Sequence, residues 1–166
     1  MYYTKIDSHI AEIILAGDEN GLSYLHINSS SGKRQFKIED EWINNPSFFD
    51  ETILQLQEYF IGDRKKFTIK LNPSGTPYQK MVWTALQSIP FGVIKTYKDI
   101  AIQIGNPKAS RAVGMANSKN KIPIIIPCHR VINANGEIGG YGGGLMRKKW
   151  LLNHEKEHNK EIATQK

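Results

Sequence analysis

A single cysteine among 166 residues excludes a disulfide within the chain and any cysteine-rich zinc site. The five histidines add little: His154 and His158 lie four apart but are not read as a metalloprotease pair, so neither a metal nor a cofactor is expected. Long apolar runs are missing too. The longest patch, residues 122–126, carries Pro123 and falls far short of the ~18 residues that suggest a membrane span. Met1-Tyr2-Tyr3-Thr4-Lys5-Ile6-Asp7 lacks the basic-then-apolar order of a signal peptide. Without secretion, the glycosylation pattern at Asn28-Ser29-Ser30 is a chance match. A cytoplasmic protein with no membrane association is expected.

What is present is an ordinary globular composition, 40% hydrophobic and 23% charged, with enough chain for one full core or two small ones. Negative charge is scarce in one half only. Residues 1–76 hold 8 Lys+Arg against 11 Asp+Glu, a net −3; residues 77–166 hold 14 against 5, a net +9. Only the second half is suited to face a polyanion.

The first half reads as α/β. Residues 2–6, 12–16 and 22–27 are strand-like, the last two joined by Gly17-Asp18-Glu19-Asn20-Gly21. Asn45-Pro46 predicts a helix start, with Phe49, Ile53, Leu56 and Phe60 at helical spacing and Gly62 as its stop. Residues 66–71 alternate like a strand. Asn72-Pro73-Ser74-Gly75-Thr76-Pro77 is the linker candidate, dividing the chain into domains at 1–75 and 76–166.

In the second half, Thr76 and Gln79 predict a capping box opening a helix to about Ile89. Thr96 and Asp99 predict another, for a short helix that stops at Gly105. Asn106-Pro107 restarts a helix through Ala109-Ser110-Arg111-Ala112-Val113-Gly114-Met115-Ala116. Two short helices around a tight glycine-containing turn suit a helix-turn-helix, or an ordinary αα-corner. The second helix is thin, with Arg111 as its one long cation. It has little capacity for major-groove readout and suits the minor groove, with Arg111 available for insertion.

Ile122-Pro123-Ile124-Ile125-Ile126-Pro127-Cys128-His129-Arg130-Val131-Ile132 sets the sole thiol beside an imidazole and a guanidinium. A free thiol is mostly protonated at neutral pH, and a basic partner raises the thiolate fraction. Neighbouring side chains in extended backbone point apart, so His129 needs a turn or a bridging water to serve Cys128. The pair alone fits a buried structural cysteine equally well. Asn133-Ala134-Asn135-Gly136 signals a turn. Gly139-Gly140-Tyr141-Gly142-Gly143-Gly144 fits the wall of a tight planar pocket, with Tyr141 as a stacking ring, or a plain loop. A last helix is expected over 145–157, with the basic run Arg147-Lys148-Lys149 and Trp150, Leu151 and Leu152 as core.

At these residues the chain resembles the O6-alkylguanine-DNA alkyltransferases, or methylated-DNA–protein-cysteine methyltransferases. The resemblance runs from Thr76 to Glu155 through Pro90-Phe91-Gly92, Thr96-Tyr97, Gly105-Asn106-Pro107, residues 109–114, Asn120, Pro127-Cys128-His129-Arg130-Val131 and Trp150-Leu151-Leu152-Asn153-His154-Glu155. It implies a ribonuclease-H-like α/β N-terminal domain and a mainly helical C-terminal domain with a helix-turn-helix. It also implies single-turnover transfer of an alkyl group from O6 of guanine to Cys128, with O4-alkylthymine as a possible second substrate. The implied partner is double-stranded DNA, bound by a monomer.

By the same resemblance His129 deprotonates Cys128 through a water and Glu155 orients His129. Asn120 braces the turn before the active-site strand, and Tyr97 assists the departing guanine. Arg111, with Thr96, Ala109, Ser110, Ala112 and Gly114 around it, contacts DNA and fills the gap left by an extruded base. Val131, Tyr141, Gly142 and Gly143 hold the flipped guanine. Gly142 replaces the serine of several members, which predicts room for bulkier alkyl groups. A thioether is not reversed by thiol exchange, and a chain with no second cysteine has no means of resetting. Three readings compete: a lesion-flagging relative, which would lack Cys128; a sequence-specific regulator, which the thin helix argues against; and a thiol hydrolase, for which no oxyanion hole is apparent.

Overall fold

Backbone and side chains of residues 1–28, 36–139, 141 and 144–159, and the backbone of 160–164, are described by a computed structural model. The chain divides into two units, Met1–Ser74 and Gly75–Lys166.

In the first unit β1 (Tyr2–Ile6), β2 (Ile13–Asp18), β3 (Gly21–Ile27) and β4 (Ile43–Asn44) form a sheet of order β3-β2-β1-β4. The β1–β2 and β2–β3 pairs are antiparallel, and β4 runs parallel to β1. The central β2 is apolar along nearly its whole length, and its residues 13–17 are all buried. A bulge at Ala16/Gly17 lets the β2–β3 turn close; a Cβ on Gly17 would lie 2.6 Å from the Gly21 carbonyl oxygen. Leu56, Tyr59 and Phe60 of α1 (Asp50–Phe60) complete the core.

Three expectations for this unit need correction. Residues 66–71 form no strand: a single bridge, Leu22 to Leu71, is all that pairs among the described residues. The fully buried Gln55 takes the segment instead. Its Oε1 accepts the Thr68 N–H at 2.9 Å and its Nε2 donates to Thr68 Oγ1 at 2.7 Å, so donors that a ladder would use are spent on the helix. Asn45-Pro46 opens a 3₁₀ turn, Pro46–Phe49, and α1 begins at Asp50. Asn45 caps neither, because its Oδ1 accepts the Ser47 hydroxyl at 3.0 Å.

The second unit comprises α2 (Pro77–Gln87), β5 (Lys95–Thr96), α3 (Tyr97–Gln103), α4 (Ser110–Ser118), a 3₁₀ turn at Cys128–Arg130, β6 (Val131–Ile132) and α5 (Leu145–Thr164). Both capping boxes form, Thr76 with Gln79 and Thr96 with Asp99. Gly105, at φ +88°, follows α3 closely. The helix expected from Asn106-Pro107 starts later, at Ser110, since Asn106 Oδ1 accepts the Lys108 N–H and folds those residues into a separate turn. β5 and β6 pair in parallel. Trp83, fully buried, donates its indole N–H to the Ala116 carbonyl at 2.9 Å and locks α2 to α4. α5 extends past the expected 157, and of Trp150, Leu151 and Leu152 only Leu151 is fully in the core.

Candidate active site

Two prolines keep residues 122–127 out of a regular strand, and the chain turns hard. Ile124 sits at φ +75°, a conformation that a β-branched residue adopts only under constraint. Asn120 supplies that constraint: its Nδ2 donates to the Ile126 carbonyl at 2.8 Å and its Oδ1 accepts the Ile122 N–H at 3.0 Å. The same side chain hydrogen-bonds the Cys128 thiol. The 3₁₀ turn Cys128–Arg130 follows, with all three side chains buried.

That turn places His129 against α5. Its Nε2 lies 2.6 Å from Glu155 Oε2. Arg130 donates from Nε to Glu155 Oε1 at 2.7 Å, from Nη2 to Oε2 at 3.0 Å, and from Nη1 to the Ile89 carbonyl at 2.7 Å. The Gly92 N–H adds a fourth donor to the carboxylate at 3.2 Å. Burial alone would raise the Glu155 pKa, but His129 and Arg130 outweigh it and hold the carboxyl well below its usual range. Burial lowers the His129 pKa against the pull of Glu155, keeping the ring neutral. A neutral ring facing an ionised carboxylate carries its proton on Nε2. Nδ1 is then a bare acceptor, buried and unpartnered among the described residues.

Cys128 is 4% exposed. Burial pushes it up to about 11, opposed by Asn120, the charge of Lys148 and the Cys128 N–H. Lys148 was read as part of a basic run, yet it is 0% exposed. Its ammonium donates to the Val131 carbonyl at 2.8 Å and to the Ile138 carbonyl at 2.6 Å. Burial lowers its pKa to about 8, with Cys128 acting in the opposite direction. Helical spacing held the signal: 148, 151 and 155 share one face of α5, with Leu151 and Glu155 also buried.

Tyr97, the first residue of α3, is half-buried, and its hydroxyl pKa is raised by burial and then by Cys128. A Cβ on Gly139 would meet that hydroxyl at 3.2 Å. Tyr141 has a buried hydroxyl, unpartnered among the described residues, whose pKa burial and then Cys128 raise. Val131 is fully buried. Cys128, Asn120, Tyr97 and Tyr141 therefore gather, with the His129–Glu155 pair next to them in the chain. Thr96 is engaged in its cap, Arg111 and Ala112 are exposed on α4, and Ala109, Ser110 and Gly114 are half-buried. Gly142 and Gly143 lie outside the described residues.

One reading of the sequence is corrected here. His154-Glu155-Lys156-Glu157-His158 does match the H-E-x-x-H pattern of metalloproteases. Its Glu is committed to His129 and Arg130, the His154 ring stacks on Trp150 at 4.8 Å, and His158 Nδ1 lies 2.7 Å from the His154 carbonyl. Among the described residues no group of three or more potential ligands gathers.

A buried thiol, followed in the chain by a buried imidazole that is paired with a carboxylate, beside a helical pair, fits the class of proteins in which cysteine is the nucleophile. The chain belongs to the methylated-DNA–protein-cysteine methyltransferase family. Residues 1–73 match the ribonuclease-like domain of 6-O-methylguanine DNA methyltransferase, and residues 77–157 match its DNA binding domain. The methylated-DNA–protein-cysteine methyltransferase of Methanosarcina acetivorans is 53% identical over 93% of this chain and 98% of its own length. That of Mycobacterium tuberculosis is 43% identical over 94% and 93%. The crystal structure of M. tuberculosis O6-methylguanine methyltransferase aligns with a TM-score of 0.86 at 43% identity, covering 95% of this chain and 93% of that one. The M. tuberculosis structure in complex with DNA aligns at 0.87 and 42%, covering 95% and 94%.

Proposed function

We propose that this protein repairs DNA by direct reversal, moving the alkyl group of O6-alkylguanine onto Cys128. The observation that carries the reading is the bare, buried Nδ1 of His129 beside the only thiol, with Nε2 held by Glu155. A thiol near 11 is scarcely ionised at neutral pH, so reaction requires a local base, and a neutral His129 is one. The thiol proton passes to His129 through a water. Sulfur attacks the alkyl carbon, the S–C bond forms, the C–O6 bond breaks, and the guanine leaves with its electron pair. Tyr97 assists protonation of that guanine, and the net proton moves from thiol to base.

A cysteine this buried, 4% exposed, does not meet a base inside a stacked duplex, so the nucleotide is extruded, at a cost of a few kcal/mol. In this reading α3 and α4 act as a helix-turn-helix in the minor groove. Ala109, Ser110, Ala112 and Gly114 permit close approach, Thr96 adds a contact at the start of α3, and Arg111 fills the gap. The extruded guanine is held by Val131, Tyr141 and residues 142–143. Residues 76–166 carry both DNA binding and acceptor, residues 1–75 support the fold, and the protein acts as a monomer. Each molecule turns over once.

The test is intact mass after incubation with a duplex holding one O6-methylguanine, with Cys128→Ser as control. A single methyl gained by wild type alone, saturating at one equivalent, is expected. No gain despite lesion-selective binding would mean a lesion-flagging protein.

A further inference from the structure

Asn117 has no part in the chemistry assigned so far. It lies near the end of α4 and is 4% exposed. Its Nδ2 donates to the Cys128 carbonyl at 3.4 Å. That bond fixes which end of the carboxamide faces the Cys128 carbonyl. The other end, Oδ1, is buried and unpartnered among the described residues. His129 Nδ1 is a second buried acceptor in the same condition. Both groups flank the same peptide: Asn117 is bonded to the carbonyl of Cys128, and the imidazole belongs to the residue that follows. A buried acceptor without a donor is costly, and a water has two O–H donors and a lone pair to spare for a third group.

We infer that Asn117 is a positioning residue for the proton transfer: its Oδ1 and His129 Nδ1 accept the two O–H bonds of one buried water, whose lone pair accepts the Cys128 S–H. The count closes. The thiol proton passes to the water as the water gives one of its own to Nδ1. The water is regenerated, and its second O–H stays hydrogen-bonded to Asn117 Oδ1. Without Oδ1 the water rotates freely, and its lone pair faces sulfur only part of the time. The inference rests on the reading of Cys128 as alkyl acceptor.

The experiment follows transfer from free O6-benzylguanine, which removes DNA binding by α4 from the measurement, at a series of pH values. It compares wild type with Asn117→Leu, which keeps the volume and loses both polar ends. Leucine is expected to slow transfer about tenfold near neutral pH, with the deficit closing as pH rises and hydroxide takes the thiol proton directly. Asn117→Ser, whose hydroxyl accepts from farther away, falls between the two and still shows the pH shift should the leucine chain not fold. A leucine variant with the wild-type profile overturns the inference. So does a deficit of the same size at every pH, which is a merely structural effect. A wild type that gains no alkyl group overturns the reading of Cys128 beneath it.

Discussion

Replacing Glu155 by glutamine changes almost nothing in volume and removes a charge that four donors share: His129 Nε2, Arg130 Nε and Nη2, and the Gly92 N–H. One end of a carboxamide donates, so it opposes a donor whichever way it turns. Facing His129, the NH₂ moves the ring proton to Nδ1 and abolishes the base; facing Arg130 Nε, it leaves a guanidinium that is 6% exposed poorly paired. Breaking a buried pair from one side costs about 3–5 kcal/mol, equivalent to a fall in Tm on the order of 10 °C. Loss of a correctly oriented general base costs about 10²–10⁴ in rate. Because the Glu155 carboxyl is held below its ordinary 4.5, its contribution is complete above that pH and is lost as pH falls through the folded value. The assays are single-turnover transfer near neutral pH and calorimetry at several pH values. Glu155→Gln is expected to melt lower at neutral pH and to approach wild type in acid. Transfer within threefold of wild type at equal DNA affinity would refute the reasoning.

Four other outcomes follow from the structure. His129 is depressed below 6.5, so the transfer rate is expected to stay level through neutrality and fall only in more acid solution, as the ring protonates; stopped-flow rates across pH decide it. Lys148→Met removes two hydrogen bonds to carbonyls and the charge that eases thiol ionisation, so Cys128 is expected to react more slowly with iodoacetamide at fixed pH. Since the folded value of Lys148 is about 8 against 10.5, wild-type stability gains about 3 kcal/mol from this group as pH rises between the two; denaturant titrations should show that slope absent in the variant. Gly75→Ala would set a Cβ 2.7 Å from the Trp83 ring, an overpacking expected to cost about 1–3 kcal/mol, measured by urea denaturation.

Local chemistry was legible wherever neighbours in sequence are partners in space. Thr76 with Gln79 and Thr96 with Asp99 are three apart, and both capping boxes form as read. The turn at residues 133–136 closes with a Gly136 N–H to Asn133 carbonyl bond of 3.0 Å. Readings failed where a distant partner took the hydrogen bonds, as Gln55 did from residues 66–71, or where a side chain bonded locally, as Asn45 and Asn106 did. The H-E-x-x-H run at 154–158 is a local pattern whose Glu155 the tertiary structure commits to His129 and Arg130 instead.

By itself the sequence determined that one thiol is available, that the second half is basic, and that a thin helix with one long cation precedes the Cys-His pair. Composition and local pattern decide those properties, and no fold is needed to see them. The distance between His129 and Glu155, 26 residues apart, was decided only by the tertiary structure, as were the fourfold coordination of that carboxylate and the burial of Lys148 and Asn117. The physical reason is that ionisation is set by the donors and the solvent around a group. Those are assembled by the packing of α4, α5 and the 3₁₀ turn around Cys128, and no run of neighbouring residues contains them.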